Sequence, residues 1–479
     1  MRPRAGQRAA RRAAVVCTIA ALIAGCATGP AYQPPPLPMP VAWKIEPPWR
    51  ESAPADAAPK GPWWLRFGDA ELDALQRRAL ADNATLQIAA ARLAQARAQV
   101  AGASAGRFPQ IGLGARVARL KTSANRPLAN YASPNFSTVQ DDYALALTVN
   151  YEIDLGGRVA SSIEAVRASA EQSAIDLENT RLLLTADLAT AYFNLRGLDA
   201  ELDVLARSIA LQRRALQFVT ARHDGGATSG LDVAQQQALL DNTLTQVDVL
   251  RRQRHPFENA IATLTGTPAP LFTIAPSAAP QASIGTPPPI PLGVPSDVLE
   301  RRPDVAAAER AMAAANAQIG VARAAFYPSI LLGPSIGVDS RELANLFNAP
   351  SLLWSLGVSA TQTLIDGGRI RANVDFAAAG YDATVANYRR VVLTAMQEVE
   401  DGITGLAALD RATAQANTAV ASSRRVLDMA TSRYEGGATT YLDVINAQQA
   451  LLGVERQATQ LASQRRVTSV FLIKALGGG

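Results

Sequence analysis

The chain has 479 residues, with 46 basic and 41 acidic side chains, 48% hydrophobic residues, two cysteines and two histidines. Five arginines (Arg2, Arg4, Arg8, Arg11 and Arg12) and no acid precede Cys26, so the remainder carries 41 charges of each sign and offers nucleic acid no basic surface. His223 and His255 are too few for a histidine-ligated metal site, and with Cys17 in the leader, Cys26 has no partner for an internal disulfide.

The arginines are followed by a short apolar run, Ala13–Ala24, and then by Ile23-Ala24-Gly25-Cys26. That order reads as a lipoprotein signal, with residues 1–25 removed and Cys26 acylated. Ala27, where retention signals carry Asp, points to sorting to the outer membrane. Beyond the leader no run of about 18 apolar residues remains, so no transmembrane helix is available. A lipid gives an anchor but no span, so any spanning element has to be β.

Residues 26–68 are rich in Pro and Ala, including Pro34-Pro35-Pro36, Pro38 and Pro40, and form an extended tether. A first repeat follows over 69–266. It opens after Trp63-Trp64-Leu65-Arg66-Phe67-Gly68-Asp69, and Asn83 stands as the N-cap of a helix to about Ala105. The period then changes from 3.6 to 2, predicting strands over about 108–120 and 141–154. Tyr143, Leu145, Leu147, Val149, Tyr151 and Ile153 share one face of the second strand; Ala144, Ala146, Thr148, Asn150, Glu152 and Asp154 lie on the other. Gly156-Gly157-Arg158 opens a helix over about 158–220 with a coiled-coil seam at Leu195, Leu198, Leu202, Leu205 and Ile209. Some 60 helical residues span about 90 Å, far more than a globular domain needs. A further helix covers about 231–264.

A Pro-rich connector (267–296) separates this from a second repeat over 297–479. Its predicted elements are a helix (about 303–325), strands (about 328–339 and 353–365), a long helix (about 370–431) and a last helix (about 441–476). The second long helix has its seam at Val385, Tyr388, Val392, Ala395 and Val399. The two halves match most closely at a turn, Arg222-His-Asp-Gly-Gly-Ala-Thr-Ser-Gly-Leu-Asp-Val233 against Arg433-Tyr-Glu-Gly-Gly-Ala-Thr-Thr-Tyr-Leu-Asp-Val444. Over Arg222–Leu240, 10 of 19 positions are identical at an offset of 211, too many for shared composition. Further upstream the offset is 219, and the difference falls in the loop between strands, where length changes cost least.

Four strands cannot close a barrel alone, since single-chain barrels begin at about eight and lipid tolerates no open edge. Two copies would give eight strands and three would give twelve, with the small, polar face lining a lumen. The Gly-Gly pairs lack the Lys-Ser/Thr of a phosphate loop, and no nucleophile–base or paired-carboxylate constellation is visible, so no enzymatic activity is expected.

These features together resemble the outer-membrane factors of the TolC/OprM type, in the lipoprotein (NodT-like) branch that serves RND efflux pumps. The residues carrying the resemblance are the lipobox ending at Cys26, Trp63–Asp69, Val294-Pro-Ser-Asp-Val-Leu-Glu-Arg-Arg-Pro-Asp-Val305, the doubled Gly-Gly-Arg and the turn ending Tyr441-Leu-Asp-Val-Ile-Asn446. The resemblance implies a mixed α and β membrane protein: a homotrimer with a twelve-stranded outer-membrane β-barrel continued by a twelve-helix periplasmic α-barrel. An equatorial belt would come from the termini and the connector. Helices 86–105 and 231–264 would stack end to end beside the long helix, as would 305–325 and 441–476. Cys26 would carry N-palmitoyl and S-diacylglycerol groups, with no other cofactor and no metal.

The resemblance also implies a periplasmic gate of Leu442, Asp443 and Asn446, with first-repeat counterparts Leu231, Asp232 and Gln235, and Tyr434 linking neighbouring hairpins. Asn446 and Thr439 depart from the Asp and Arg that relatives often carry. The implied function is the exit duct of a tripartite efflux pump, passively conducting small molecules and partnered by a periplasmic adaptor and an inner-membrane RND pump. A type I protein secretion duct of the same fold is the alternative. A periplasmic adaptor is opposed by the doubled layout, and a lipid-anchored enzyme by the absence of a site.

Overall fold

The structure is a computed structural model and describes residues 30, 32–33, 61–121, 139–276 and 301–478. Cys26 and its lipobox, most of the tether, residues 122–138 and the connector from 277 to 300 lie outside the described residues. The elements in chain order are α1 (Ala70–Asp82), α2 (Ala84–Ala105), β1 (Gln110–Lys121), β2 (Val139–Ile153), α3 (Arg158–Asp224) and α4 (Gly230–Leu264). After the connector come α5 (Pro303–Ala324), β3 (Ser329–Leu332), β4 (Ser335–Ser340), β5 (Leu352–Ser355), β6 (Val358–Thr361), α6 (Arg369–Glu435) and α7 (Tyr441–Ala475).

The chain forms two compact units, and neither follows the repeats. One comprises Met1–Pro35, Ala94–Gln172 and Glu309–Asn387 and holds the sheet; the other comprises Pro36–Leu93, Ser173–Ala308 and Tyr388–Gly479 and is helical. Both repeats contribute to each.

In the sheet unit, β1 pairs with β2 along its whole length, from Gln110↔Asn150 to Lys121↔Val139. The other edge of β2 takes β4 and then β3, and these carry β5 and β6. The result is an antiparallel meander of four strands, the last two each interrupted. Pro334 has no N–H to give a ladder, which explains the first break. Val149 N still donates to Pro334 O at 2.9 Å and Gly333 N to Gly357 O at 2.9 Å, so the phase survives both breaks. The alternation read to 365 stops at Thr361, because its partner β3 begins at Ser329 and offers nothing further to pair with.

The register explains the alternation. Leu113, Leu147, Ile336 and Trp354 are direct cross-strand neighbours in one apolar row spanning all four strands. The adjacent row on the opposite face is Gly112, Thr148, Ser335 and Ser355, with the two serine hydroxyls 2.8 Å apart. Trp354 is 73% exposed and Leu113 72%, so the apolar face is not the inside of a globular core. Gly337 on the small-residue face is required sterically: a Cβ there would lie 2.5 Å from Leu145 O. Carboxylates start both long helices. Asp154 accepts from Val159 N and Ala160 N (2.9 and 2.8 Å), and Asp366 accepts from Gly368 N and Ile370 N.

In the helical unit one core gathers Trp63, Trp64, Leu72, Leu188, Phe193 and Leu195 with Ile261, Ile403 and Leu472. The seam of α3 meets Leu250 of α4 and Leu452 of α7. Among the described residues no helix is long and apolar enough to cross a membrane.

Helix ends join in the same way twice. Asn83 Nδ2 donates to Leu264 O at 2.9 Å, joining the end of α4 to the start of α2. At the corresponding place Arg302 Nη1 donates to Ala475 O at 3.0 Å, joining the end of α7 to the start of α5. Each joint also has a glycine with positive φ, Gly266 (69°) and Gly477 (85°). A Cβ there would come within 2.7 Å of Asp82 O and 2.6 Å of Arg301 O. Left-handed backbone and close approach together demand glycine. Pro303 occupies the first position of α5, where its missing N–H costs nothing.

Candidate functional site: the hairpin tip and the buried arginine strap

The repeated turn ends α3 and α6 with identical hydrogen bonding. Ala227 N donates to Arg222 O and Gly226 N to His223 O, both at 2.8 Å; Ala438 N donates to Arg433 O at 2.8 Å and Gly437 N to Tyr434 O at 3.0 Å. Gly226 and Gly437 hold φ of 73° and 72°, completing a two-bond helix stop. Ser229 Oγ accepts from Leu231 N at 2.9 Å at the start of α4. The Thr228 hydroxyl donates to Asp232 and the Thr439 hydroxyl to Asp443, with Thr440 Oγ1 a second donor to Asp443 at 3.3 Å. The Thr439 hydroxyl, followed by Thr440, holds the Asp443 carboxyl below the usual carboxylate range. Asp443 is therefore an exposed, pinned anion at a helix N-terminus.

Leu442, Asp443 and Asn446 are all exposed, whereas Val444, Ile445, Ala447 and Gln448 are buried. The first turns of α7 thus bring the three second-repeat candidates onto one outward face. In the first repeat Leu231 is exposed and Asp232 and Gln235 are half-buried. Tyr434 is buried, and it joins the two turns of the same chain. Its hydroxyl lies 3.3 Å from Thr228 Oγ1, its ring lies 4.9 Å from that of Tyr441, and the Arg222 guanidinium sits 5.1 Å from its centroid.

Sequence reasoning missed a polar relay directly behind this face. Tyr441 Oη donates to Gln236 Oε1 at 2.9 Å, and Gln236 Nε2 donates to Gln212 O at 3.2 Å and to Gln448 Oε1 at 3.4 Å. Burial pushes the Tyr441 phenol up, so it stays a neutral donor. At an offset of 211 Tyr441 and Gln236 correspond to Gly230 and Ala447, so a search for repeated residues passes over these two.

A second constellation was also missed. Asp199, its side chain 1% exposed, lies between Arg196 Nη1 (2.8 Å) and Arg254 Nε (2.7 Å). The same arginines hold the segment after α4, through Arg196 to Ala275 O (2.9 Å) and Arg254 to Ile274 O (2.6 Å). Glu258 accepts from Ile274 N at 2.8 Å, and Arg196 also pairs with Glu71. This buried strap fixes the start of the connector against α3 and α4. Arg302 acts likewise in the second half, pairing with Glu398 and Asp304 at 2.7 Å each. Among the described residues no cluster of His, Cys, Asp or Glu has metal-holding geometry.

Twin helical hairpins of this length and a sheet with one continuous, exposed apolar face are the parts from which a membrane channel component is built. The outer membrane efflux protein family model matches residues 75–267 and 294–478, and the chain belongs to that family. It is 30% identical over 446 residues to the pyoverdine export outer membrane protein OpmQ of Pseudomonas aeruginosa, covering 93% of each chain. It is 30% identical to the toluene efflux pump outer membrane protein TtgF of Pseudomonas putida, covering 87% of this chain and 85% of the relative. The solved outer-membrane channel OprN superposes with a TM-score of 0.85 at 28% identity, over 95% of this chain and 99% of that one. The open state of the MtrE channel of Neisseria gonorrhoeae gives 0.83 at 28% identity, over 95% and 98%. The protein is an outer-membrane exit channel of an efflux system, and the family is one of transport channels without enzymatic activity.

Proposed function

We propose that three copies close a twelve-stranded barrel continued by twelve helices, and that the tip formed by Leu442, Asp443, Asn446, Leu231, Asp232 and Tyr434 is its periplasmic gate. The observation that carries this reading is the pair of open sheet edges. Among the described residues β1 pairs only with β2, and β5 and β6 pair only with β4 and β3. With an apolar face turned outward, such edges are tolerable in lipid only if further copies pair with them. Passive flow of small molecules through the lumen follows, with the energy supplied by a periplasmic adaptor and an inner-membrane RND pump. Three exposed Asp443 side chains around one axis would favour cations and resist closure. The Tyr434–Thr228 contact and the Tyr441–Gln236 relay would oppose that repulsion.

A lipid on Cys26 completes the proposal. Pro30 O accepts from Asn316 Nδ2 at 2.8 Å and Tyr32 Oη donates to Glu309 Oε1 at 2.6 Å, so the tether follows α5 towards the sheet. An acyl group on Cys26 would anchor this end of the chain in the outer membrane.

Two tests follow. Asp443→Ala combined with Asp232→Ala is expected to lower the cation preference of the reconstituted pore; an unchanged reversal potential would remove these residues from the gate. Cys26→Ser is expected to abolish incorporation of labelled palmitate, and persistent labelling would refute acylation at this residue.

A further inference from the structure

The offset of 211 relates the two sides of a contact at the tip, and it bears on how copies meet there. Within one chain the second turn docks on the first. Tyr434 Oη approaches Thr228 Oγ1, Arg222 covers the tyrosine ring, and the Thr228 hydroxyl is bonded to Asp232. The repeat counterparts of Tyr434, Thr228, Asp232, Arg222 and Tyr441 are His223, Thr439, Asp443, Arg433 and Gly230. In a head-to-tail ring, each first turn meets the second turn of the next copy. Contacts around the ring then alternate: within a chain they are closed by Tyr434, and between chains by the residue at position 223. His223 is held at the same place on its own turn. Its Nδ1 lies 3.1 Å from Thr228 O, its ring lies against Gly230, where a Cβ would be 3.6 Å from Cε1, and the side chain is exposed in the single chain, which leaves Nε2 for a neighbour.

Resting on the trimeric channel reading, we propose that His223 closes the contact between copies against Thr439 and Asp443 of the next copy, and that this contact tightens when the imidazole is protonated. Imidazoles charge between about pH 5 and pH 8, which the tyrosine of the in-chain contact does not. In such a ring the charged groups around His223 would be Arg222, Asp224 and Asp232 on its own hairpin, and Arg433, Glu435 and Asp443 on the next copy. Arg222 is engaged over the Phe218 and Tyr434 rings, and Asp232 by the Thr228 hydroxyl. Asp224, Arg433 and Glu435 are exposed, and Arg433, donating to Ala438 O at 3.5 Å, is loosely held and can turn aside. Asp443 cannot, because Thr439 and Thr440 pin it. A new positive charge is therefore met by a fixed carboxylate and a displaceable guanidinium, and attraction wins.

The test compares single-channel conductance of reconstituted wild type with that of His223→Tyr, which installs the in-chain residue and removes the titrating group. Exposed ion pairs are individually weak, so three of them are expected to lower wild-type conductance about threefold between about pH 7.5 and about pH 5.5. His223→Tyr is expected to stay at the acid wild-type level at both values. A conducting trimer whose pH response is the same in His223→Tyr overturns this proposal alone. A protein that remains monomeric in detergent overturns it together with the channel reading.

Discussion

Asp199→Ala is expected to destabilise the helical unit by about 3–5 kcal/mol, because it leaves two buried guanidinium groups without their shared carboxylate. Arg196 and Arg254 are 5% and 9% exposed at their side chains, so water cannot replace the lost partner. Glu71 and Glu258 remain, but each meets only one arginine and neither lies between the two. The strap should therefore loosen at Ile274 and Ala275, whose carbonyls those arginines hold. Denaturant unfolding followed by tryptophan fluorescence reads the loss directly, since Trp63 and Trp64 belong to the same core as Ile274. Asp199→Leu, which fills the space without the charge, should be as damaging if charge pairing is the cause. A variant as stable as wild type would mean that the network contributes specificity and not stability.

Ile336→Lys is expected to block outer-membrane assembly, while Ser355→Lys is tolerated. The two positions lie on opposite faces of neighbouring strands, Ile336 opposite Trp354 and Ser335 opposite Ser355. A lysine on the lipid face near the bilayer midplane costs about 2–4 kcal/mol, and a trimer would incur it three times. On the lumen face a lysine stays hydrated and acts on ion selectivity instead. Heat-resistant oligomer on a gel reads assembly, and reversal potential reads selectivity. Equal assembly of both variants would contradict the assignment of faces.

The parts of the fold legible in the sequence are those governed by a short period. Alternation over 143–153 could be read because an apolar face pins the register of β2, and a slip of one residue would turn every side chain to the wrong side. The long helices were legible from Gly-Gly pairs at both ends, which the structure uses for positive φ at Gly157, Gly226, Gly368 and Gly437. The turn itself announced the tip by occurring twice. The interruption at Gly333–Pro334 lay inside a run whose phase it preserves, so periodicity alone passed over it.

Residues that work in pairs far apart in sequence were not legible. Asp199 and Arg254 are 55 positions apart, and Gln236 and Tyr441 are 205 apart. On their own helices they look like ordinary polar positions, and only packing turns them into partners. Arg302 lies in the Arg301-Arg302-Pro303-Asp304 stretch that carries the family resemblance, but its task is physical: it ties Ala475 O, Asp304 and Glu398 at a helix joint. Asn83 performs the first-half version of that task with an amide, so the two sequences differ where the contacts agree.

The central claim is that one chain supplies a third of a closed wall, and the mass of the purified protein in detergent tests it most directly. Native mass spectrometry after detergent removal in the gas phase should give three times the mass of one acylated chain, with the same species conducting ions in a planar bilayer. A single chain as the only species, silent in the bilayer, would contradict the account.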